Sequence, residues 1–363
     1  MKKLVLWLAL AGCALAAQGK DYRIGVYYFP GWKNLQPGAP APLPWERIKA
    51  YPEREPLLGW YAEGEVAIAE QQLQWMHDYG IDFVLYDWYW TGKETYLEHG
   101  LKAYFAARNR SLVPFALLWA NHYEVPRTLE QFQGMVRYWL RHYFPRPEYL
   151  RIDGKPVVYV FLHDDFIKQA ERIGMAPDAL LKEAGRMARD AGFPGIYFVG
   201  GTHIDGRVVN QRAASSGYSA FSAYNYHGRA TGKESTSYAE LDDTYRYLWR
   251  WITDNSPLPY FLPMISGWDK RPWGGSKNPA HDNSMSTPDE FERHLLAARD
   301  FMDRNPEKTL RTGVICCWNE FGEGSYIEPT KKDGFTYLER VRNVFGTNAV
   351  PGTNPVPGTN PAR

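Results

Sequence analysis

An eightfold alternation of short apolar runs with longer amphipathic stretches limits what this chain can fold into. The runs are 23–30, 81–90, 113–122, 156–165, 196–203, 219–227, 260–268 and 312–319, the sixth being the weakest. Their β-branched and aromatic content reads as buried strands. Between them, 63–79, 95–110, 129–144, 178–191, 239–254 and 288–304 repeat apolar residues at helical spacing, with Gly80 and Gly192 as stop signals. Eight β/α units predict a single α/β domain over 21–346, a (β/α)8 TIM barrel. An open doubly wound sheet would carry a glycine-rich phosphate loop after its first strand. Here that strand runs into Phe29-Pro30-Gly31-Trp32.

The strand ends share a style. They read Tyr86-Asp87-Trp88-Tyr89-Trp90, Trp119-Ala120-Asn121-His122, His163-Asp164-Asp165, Tyr224-Asn225-Tyr226-His227, Gly267-Trp268-Asp269-Lys270 and Trp318-Asn319-Glu320. In a barrel these ends meet on one rim, where active sites sit. The last of them continues as Phe321-Gly322-Glu323-Gly324-Ser325-Tyr326-Ile327-Glu328-Pro329. Two carboxylates three residues apart at the mouth of a buried strand cost desolvation energy unless paired, hydrogen-bonded or bound to substrate. Glu320 and Glu323 are therefore the leading candidates for chemistry, with helix-capping or surface acids as the plainer alternative.

A formal net charge of +1 argues against nucleic acid or an acidic membrane surface as the main partner. Aromatic residues make up 15% of the chain, with 14 Trp and 25 Tyr, which points to carbohydrate stacking or to core filling. Residues 1–16 read as an export signal, with Lys2-Lys3, an apolar run from Leu4 and an Ala14-Leu15-Ala16 cleavage site. A secreted or periplasmic protein is expected. Leu10-Ala11-Gly12-Cys13 matches a lipobox, so the alternative is a lipoprotein anchored through Cys13. No segment is long and apolar enough to be a transmembrane helix. Adjacent Cys316 and Cys317 read as unbridged buried thiols, because vicinal cysteines seldom pair. From 347 to 363 a Gly-Thr-Asn repeat rich in proline reads as a disordered tail.

The stretch from Trp318 to Pro329 resembles the closing motif of WbsX-type proteins, which are related to glycoside hydrolase family 99. Tyr86 to Lys93, Leu118 to Asn121, Tyr149 to Pro156 and Gly267-Trp268-Asp269 support it, and the likeness spans 23–345. The resemblance implies a (β/α)8 barrel acting on polysaccharide or glycan chains. Family 99 is known for metal-independent, retaining endo-α-mannosidases, whereas WbsX-type proteins often carry a glycosyltransferase label. By this resemblance Glu320 matches the general base and Glu323 the general acid. The family usually has Trp-His between the two acids; this chain has Phe321-Gly322, which leaves mannose specificity open.

In the mechanism the resemblance implies, Glu320 deprotonates the sugar's own 2-hydroxyl, which displaces the leaving group and gives a 1,2-anhydro sugar. Glu323 protonates the leaving oxygen and then activates water. Back-face attack by O2 requires a 1,2-trans glycoside, such as an α-mannoside. Double displacement with a carboxylate nucleophile is the alternative, and Asp87 is the best third carboxylate unless Lys93 or Arg271 holds it as a salt-bridged rim acid. Trp88, Trp119 and Trp268 are expected to stack on sugar faces. Asn121, His122, Tyr226, His227, Asp269 and Asn319 are expected to contact hydroxyls, while His163 and His203 read as structural. No H-E-x-x-H or comparable spacing calls for a metal, and no cofactor is expected. A surface-polysaccharide glycosyltransferase or transglycosylase, and a non-catalytic carbohydrate binder, are the rival functions.

Overall fold

The computed structural model describes residues 21–32, 44–122, 124–202, 209, 217–228 and 233–346. The leader with Cys13, His203 and the 347–363 tail lie outside the described residues. The barrel strands are β1 (Arg23–Tyr28), β2 (Phe83–Trp90), β3 (Phe115–Trp119), β4 (Lys155–Val160), β5 (Tyr197–Gly201), β6 (Ala220–Ser222), β7 (Leu262–Ile265) and β8 (Thr312–Cys316). They pair in parallel from β6 back through β5, β4, β3, β2 and β1 to β8 and β7. A parallel bridge between Phe221 and Tyr260 joins the two ends. There Phe221 N–H donates to Pro259 O at 2.8 Å and Phe261 N–H to Phe221 O at 2.8 Å. The chain is a (β/α)8 barrel.

Both faces of each barrel strand are covered, so the strands read as continuous apolar runs rather than alternating ones. All eight residues of β2 are buried. Inside the barrel Tyr27 packs against Tyr159 and Tyr224, with ring centroids 6.2 and 4.8 Å apart. The helices cover the outer face. Leu129–His142, Tyr238–Asn255 and Pro288–Arg304 are capped by Thr128, Ser237 and Thr287, whose side chains accept backbone N–H groups of the first turn. No described helix is long and apolar enough to cross a membrane.

Three local features depart from expectation. His163-Asp164-Asp165 does not end a strand but opens the helix His163–Ile173. A further helix, Thr336–Phe345, follows the closing motif and packs beside Pro288–Arg304. Cys316 and Cys317 are not free thiols: they form a disulfide across a cis peptide bond that brings their Cα atoms to 3.0 Å.

Candidate active site

Beyond β8 the chain turns into a short hairpin, in which Asn319 pairs with Tyr326 and Glu320 with Ser325. Four anchors fix it. Phe321 is buried in an aromatic cluster with Trp32, Trp45, Tyr61 and Tyr326. The Arg54 guanidinium donates to Phe321 O at 2.8 Å. Ser325 Oγ donates to Gly267 O at 2.5 Å. Asp269 N–H donates to Glu323 O at 2.7 Å. Gly324 adopts φ +71, and a Cβ there would sit 2.7 Å from Asp269 N, so glycine is required at this turn. Gly322 is equally constrained: its Cβ would lie 1.9 Å from Nε1 of Trp273. The Trp273 indole thus occupies the space that a side chain at 322 would need.

This hairpin presents Glu320 and Glu323 to a cavity of about 500 Å3 at the C-terminal mouth of the barrel, together with Asp87, Tyr224, His122, His227, Trp268, Lys270 and His281. Tyr224 Oη lies 3.0 Å from Glu320 Oε1 and 3.2 Å from Asp87 Oδ2. One phenol proton cannot serve both carboxylates, so the cluster is satisfied when a carboxyl is itself protonated. Asp87 Oδ1 is buried without a hydrogen-bond partner among the described residues. Burial pushes Asp87 well above the usual carboxylate range, against the Tyr224 hydrogen bond. Burial, with the Glu323 and Asp87 charges, does the same to Glu320. Glu323 is pushed up to about 7 by burial, with the Lys270 ammonium pulling the other way.

The cavity sides are aromatic. Trp268 lies against His227, with ring centroids 4.2 Å apart, and its Nε1 donates to Ser276 Oγ at 3.0 Å. His122 packs edge-on against Tyr89 and Phe161 at 6.0 and 5.4 Å. Burial lowers the pKa of both His122 and His281, favouring neutral rings. Among the described residues, no group of three or more His, Cys, Asp or Glu is placed to hold a metal ion.

The structure gathers six of the predicted residues around this cavity: Glu320, Glu323, Asp87, His122, His227 and Trp268. Six others lie elsewhere. Trp88 points away from the barrel axis, stacking on Trp90 and donating through Nε1 to Tyr143 Oη at 2.9 Å. Trp119 packs among Phe132, Trp139 and Phe166. Tyr226 is buried in the barrel, bonded through Oη to Thr202 and Tyr260 at 2.7 and 2.8 Å. Asn121 clamps Leu162, accepting its N–H at 2.8 Å and donating to its O at 2.7 Å. Asn319 does the same for Phe29, at 2.9 and 3.0 Å, and also donates to Glu63 Oε1 at 3.1 Å. Asp269 pairs with buried Arg54 and with Arg271. Arg271 therefore does not hold Asp87.

Tyr224, Lys270 and His281 line the cavity without having been singled out. Tyr224 and Lys270 sit in strand ends already visible as polar and aromatic. His281 comes from the irregular stretch after β7, where no periodicity marks it.

Solved structures share this fold. A glycoside hydrolase-like protein aligns with a TM-score of 0.65 at 17% identity, over 91% of this chain and 95% of its own. The GH99 endo-α-mannosidase of Bacteroides thetaiotaomicron aligns with a TM-score of 0.65 at 13% identity, over 89% and 96%. In sequence the chain is 22% identical over 338 residues to the uncharacterized protein WxcX of Xanthomonas campestris pv. campestris (strain B100), covering 86% of this chain and 46% of that protein. The chain thus spans about half the length of the curated relatives it matches. Over residues 29–341 it matches the model of the family described as "Glycosyltransferase WbsX", and it belongs to that family.

Proposed function

We propose that this chain is an exported glycoside hydrolase that cleaves a 1,2-trans glycosidic bond with retention, using Glu320 and Glu323. The observation that carries the proposal is a pair of glutamates on one hairpin, Glu320 buried and Glu323 half-buried, facing the same cavity as Asp87 and Trp268. A cavity of this size and concavity fits a small-molecule or sugar site. Four carboxyl groups line it, Asp87, Glu234, Glu320 and Glu323, against two lysines, Lys270 and Lys277, which makes it a poor host for a nucleoside-diphosphate donor whose phosphates would add like charge in a partly dehydrated space. That weighs against transfer from a nucleotide sugar, despite the family's description.

In the proposed reaction Glu320 takes the proton of the sugar's 2-hydroxyl while O2 forms a bond to C1. The C1–O bond to the leaving group breaks, and Glu323 delivers its proton to the departing oxygen. A water then loses a proton to Glu323 and adds hydroxide to C1. The C1–O2 bond opens, O2 recovers its proton from Glu320, and the anomeric configuration is retained. Asp87 lines the same cavity with its Oδ2 at the Tyr224 hydroxyl, and Trp268 offers the sugar its ring.

One observation favours exchanging the two roles. Lys270 stabilises the ionised form of Glu323, whereas Glu320 is surrounded by acids. The alkaline limb of kcat/KM separates the assignments, because it reports the acid of the free enzyme. A limb near 7 assigns the acid to Glu323, and a much higher one to Glu320. The proposal as a whole is tested by mapping the products of a polysaccharide panel with wild type and Glu323→Gln. Release of reducing ends from a 1,2-trans glycan by wild type alone supports it. An α-glucan cleaved rapidly with no 1,2-trans activity, or cleavage unchanged by the substitution, overturns it.

A further inference from the structure

A second cavity, of about 650 Å3, lies outside the barrel between the segment following β2 and the helix Leu129–His142. Its lining includes Lys93, Arg137, Arg141 and His142, against a single carboxylate, Glu130. Arg137 and Arg141 are four residues apart on one helix, an arrangement that destabilises a helix unless an anion intervenes. Several cations on other surface helices are neutralised locally. Lys182 pairs with Asp178, Arg186 with Glu183 and Asp190, and Arg304 with Asp300. Lys93, Arg137 and Arg141 have no ion-pair partner among the described residues.

Two further features point to a ligand. Trp90 lines the groove, is only 6% exposed, and buries an indole N–H that has no acceptor among the described residues. That N–H is itself shut off from the groove, so Trp90 contributes aromatic surface to the wall and no hydrogen bond. Gly134 sits in mid-helix, where glycine is unfavourable. A Cβ there would meet nothing nearer than Arg137 Nη2 at 3.9 Å, so no close packing demands the glycine. Its missing side chain leaves the floor of the groove open.

The groove adjoins the catalytic cavity through one strand. Asp87 and Tyr89 line the cavity, and Trp90, the next residue, lines the groove. Successive side chains of a strand face opposite sides, so the tip of β2 is the shared wall. We propose that the groove is a second glycan-binding site, taking a polysaccharide segment that carries carboxylate or phosphate groups. It holds a distal part of the chain whose bond is cut in the cavity. This rests on the hydrolase reading only for that last link, since binding in the groove needs no catalysis.

The test titrates the full chain with a galacturonic acid hexamer, a poly(glycerol phosphate) oligomer, neutral mannohexaose and a short single-stranded DNA. Each is run at low and at physiological salt. The variants are Arg137→Glu/Arg141→Glu and the milder Arg137→Gln/Arg141→Gln, both at exposed positions, with thermal melts to verify folding. The expected result is binding of at least one anionic glycan, weakened more than about tenfold and made less salt-sensitive in the charge-reversed protein. The uronate and phosphate arms identify which anion is preferred, and mannohexaose binding stays unchanged by the substitutions. No binding of either anionic glycan, or equal binding by folded variants, overturns the proposal. So does DNA binding of the same strength and the same sensitivity, which would mark a general polyanion patch. Uronate bound in the groove with no glycan cleaved anywhere would instead count against the hydrolase reading alone.

Discussion

The rim of the barrel holds two sets of polar residues that look alike in sequence and differ in how their hydrogen-bonding capacity is used. Asn121, Asn319 and Asp269 spend theirs on protein: on Leu162, on Phe29 and Glu63, and on Arg54 and Arg271. Asp87, Glu320 and Glu323 line the cavity, Asp87 and Glu320 share the Tyr224 hydroxyl, and Asp87 Oδ1 has no partner among the described residues. The first set holds the strand ends together, while burial raises the pKa of every carboxyl in the second. Substitutions in the first set should therefore read out as stability, and in the second as activity.

The largest effect is expected at Glu323. Replacement by Gln should lower kcat/KM by about 10²–10⁴-fold with an unchanged melting temperature, measured on the glycan that wild type cleaves. Arg54→Met should do the reverse. It removes one partner of a buried ion pair whose members are 2% and 1% exposed. A loss of about 3–5 kcal/mol in denaturant unfolding is expected. Comparable activity loss with no loss of stability would erase the distinction between the two sets.

Tyr224→Phe sits between them. It deletes the hydrogen bond that favours ionised Glu320 and Asp87. With Glu320 as base, the acid limb of the pH–rate profile should move to higher pH and kcat/KM should fall by about tenfold. A smaller effect sharpens the comparison further. Glu328, buried beneath the motif and bonded to Tyr61 and Gln72 at 2.8 and 3.1 Å, is pushed up to about 8 by burial. A carboxyl with a raised folded-state pKa favours the native state below its unfolded value and loses that contribution as pH rises through the folded one. Wild type should therefore lose stability between pH 4.5 and about 8. Glu328→Gln should flatten that part of the profile in thermal melts across pH.

The barrel was legible because buried parallel strands announce themselves as apolar runs: seven fall wholly within the stretches read from the chain, and β4 starts one residue earlier, at Lys155. The side chosen by each polar residue at a strand tip was not. At β2 the alternation puts Asp87 and Tyr89 on the cavity and Trp88 and Trp90 outside. At the end of β8 the backbone leaves the strand, so alternation no longer assigns sides. An amide that clamps a neighbouring backbone, as Asn319 does, has the same letter as one that binds a hydroxyl. The tryptophans that suggested sugar platforms are mostly packing: Trp32, Trp88, Trp119, Trp139, Trp249 and Trp318 are all fully buried. His281 and Ser276 lie in a loop without periodicity, and the Cys316–Cys317 bridge depends on a local backbone geometry that composition does not encode.

The central claim is that glycosidic cleavage is done by the two carboxyls of one hairpin. It is met most directly by turnover of the Glu320→Gln/Glu323→Gln protein on whichever glycan wild type cleaves, with folding verified by its melt. Loss of essentially all measurable turnover, with the glycan still bound, is the predicted result. Turnover within a few-fold of wild type would contradict it.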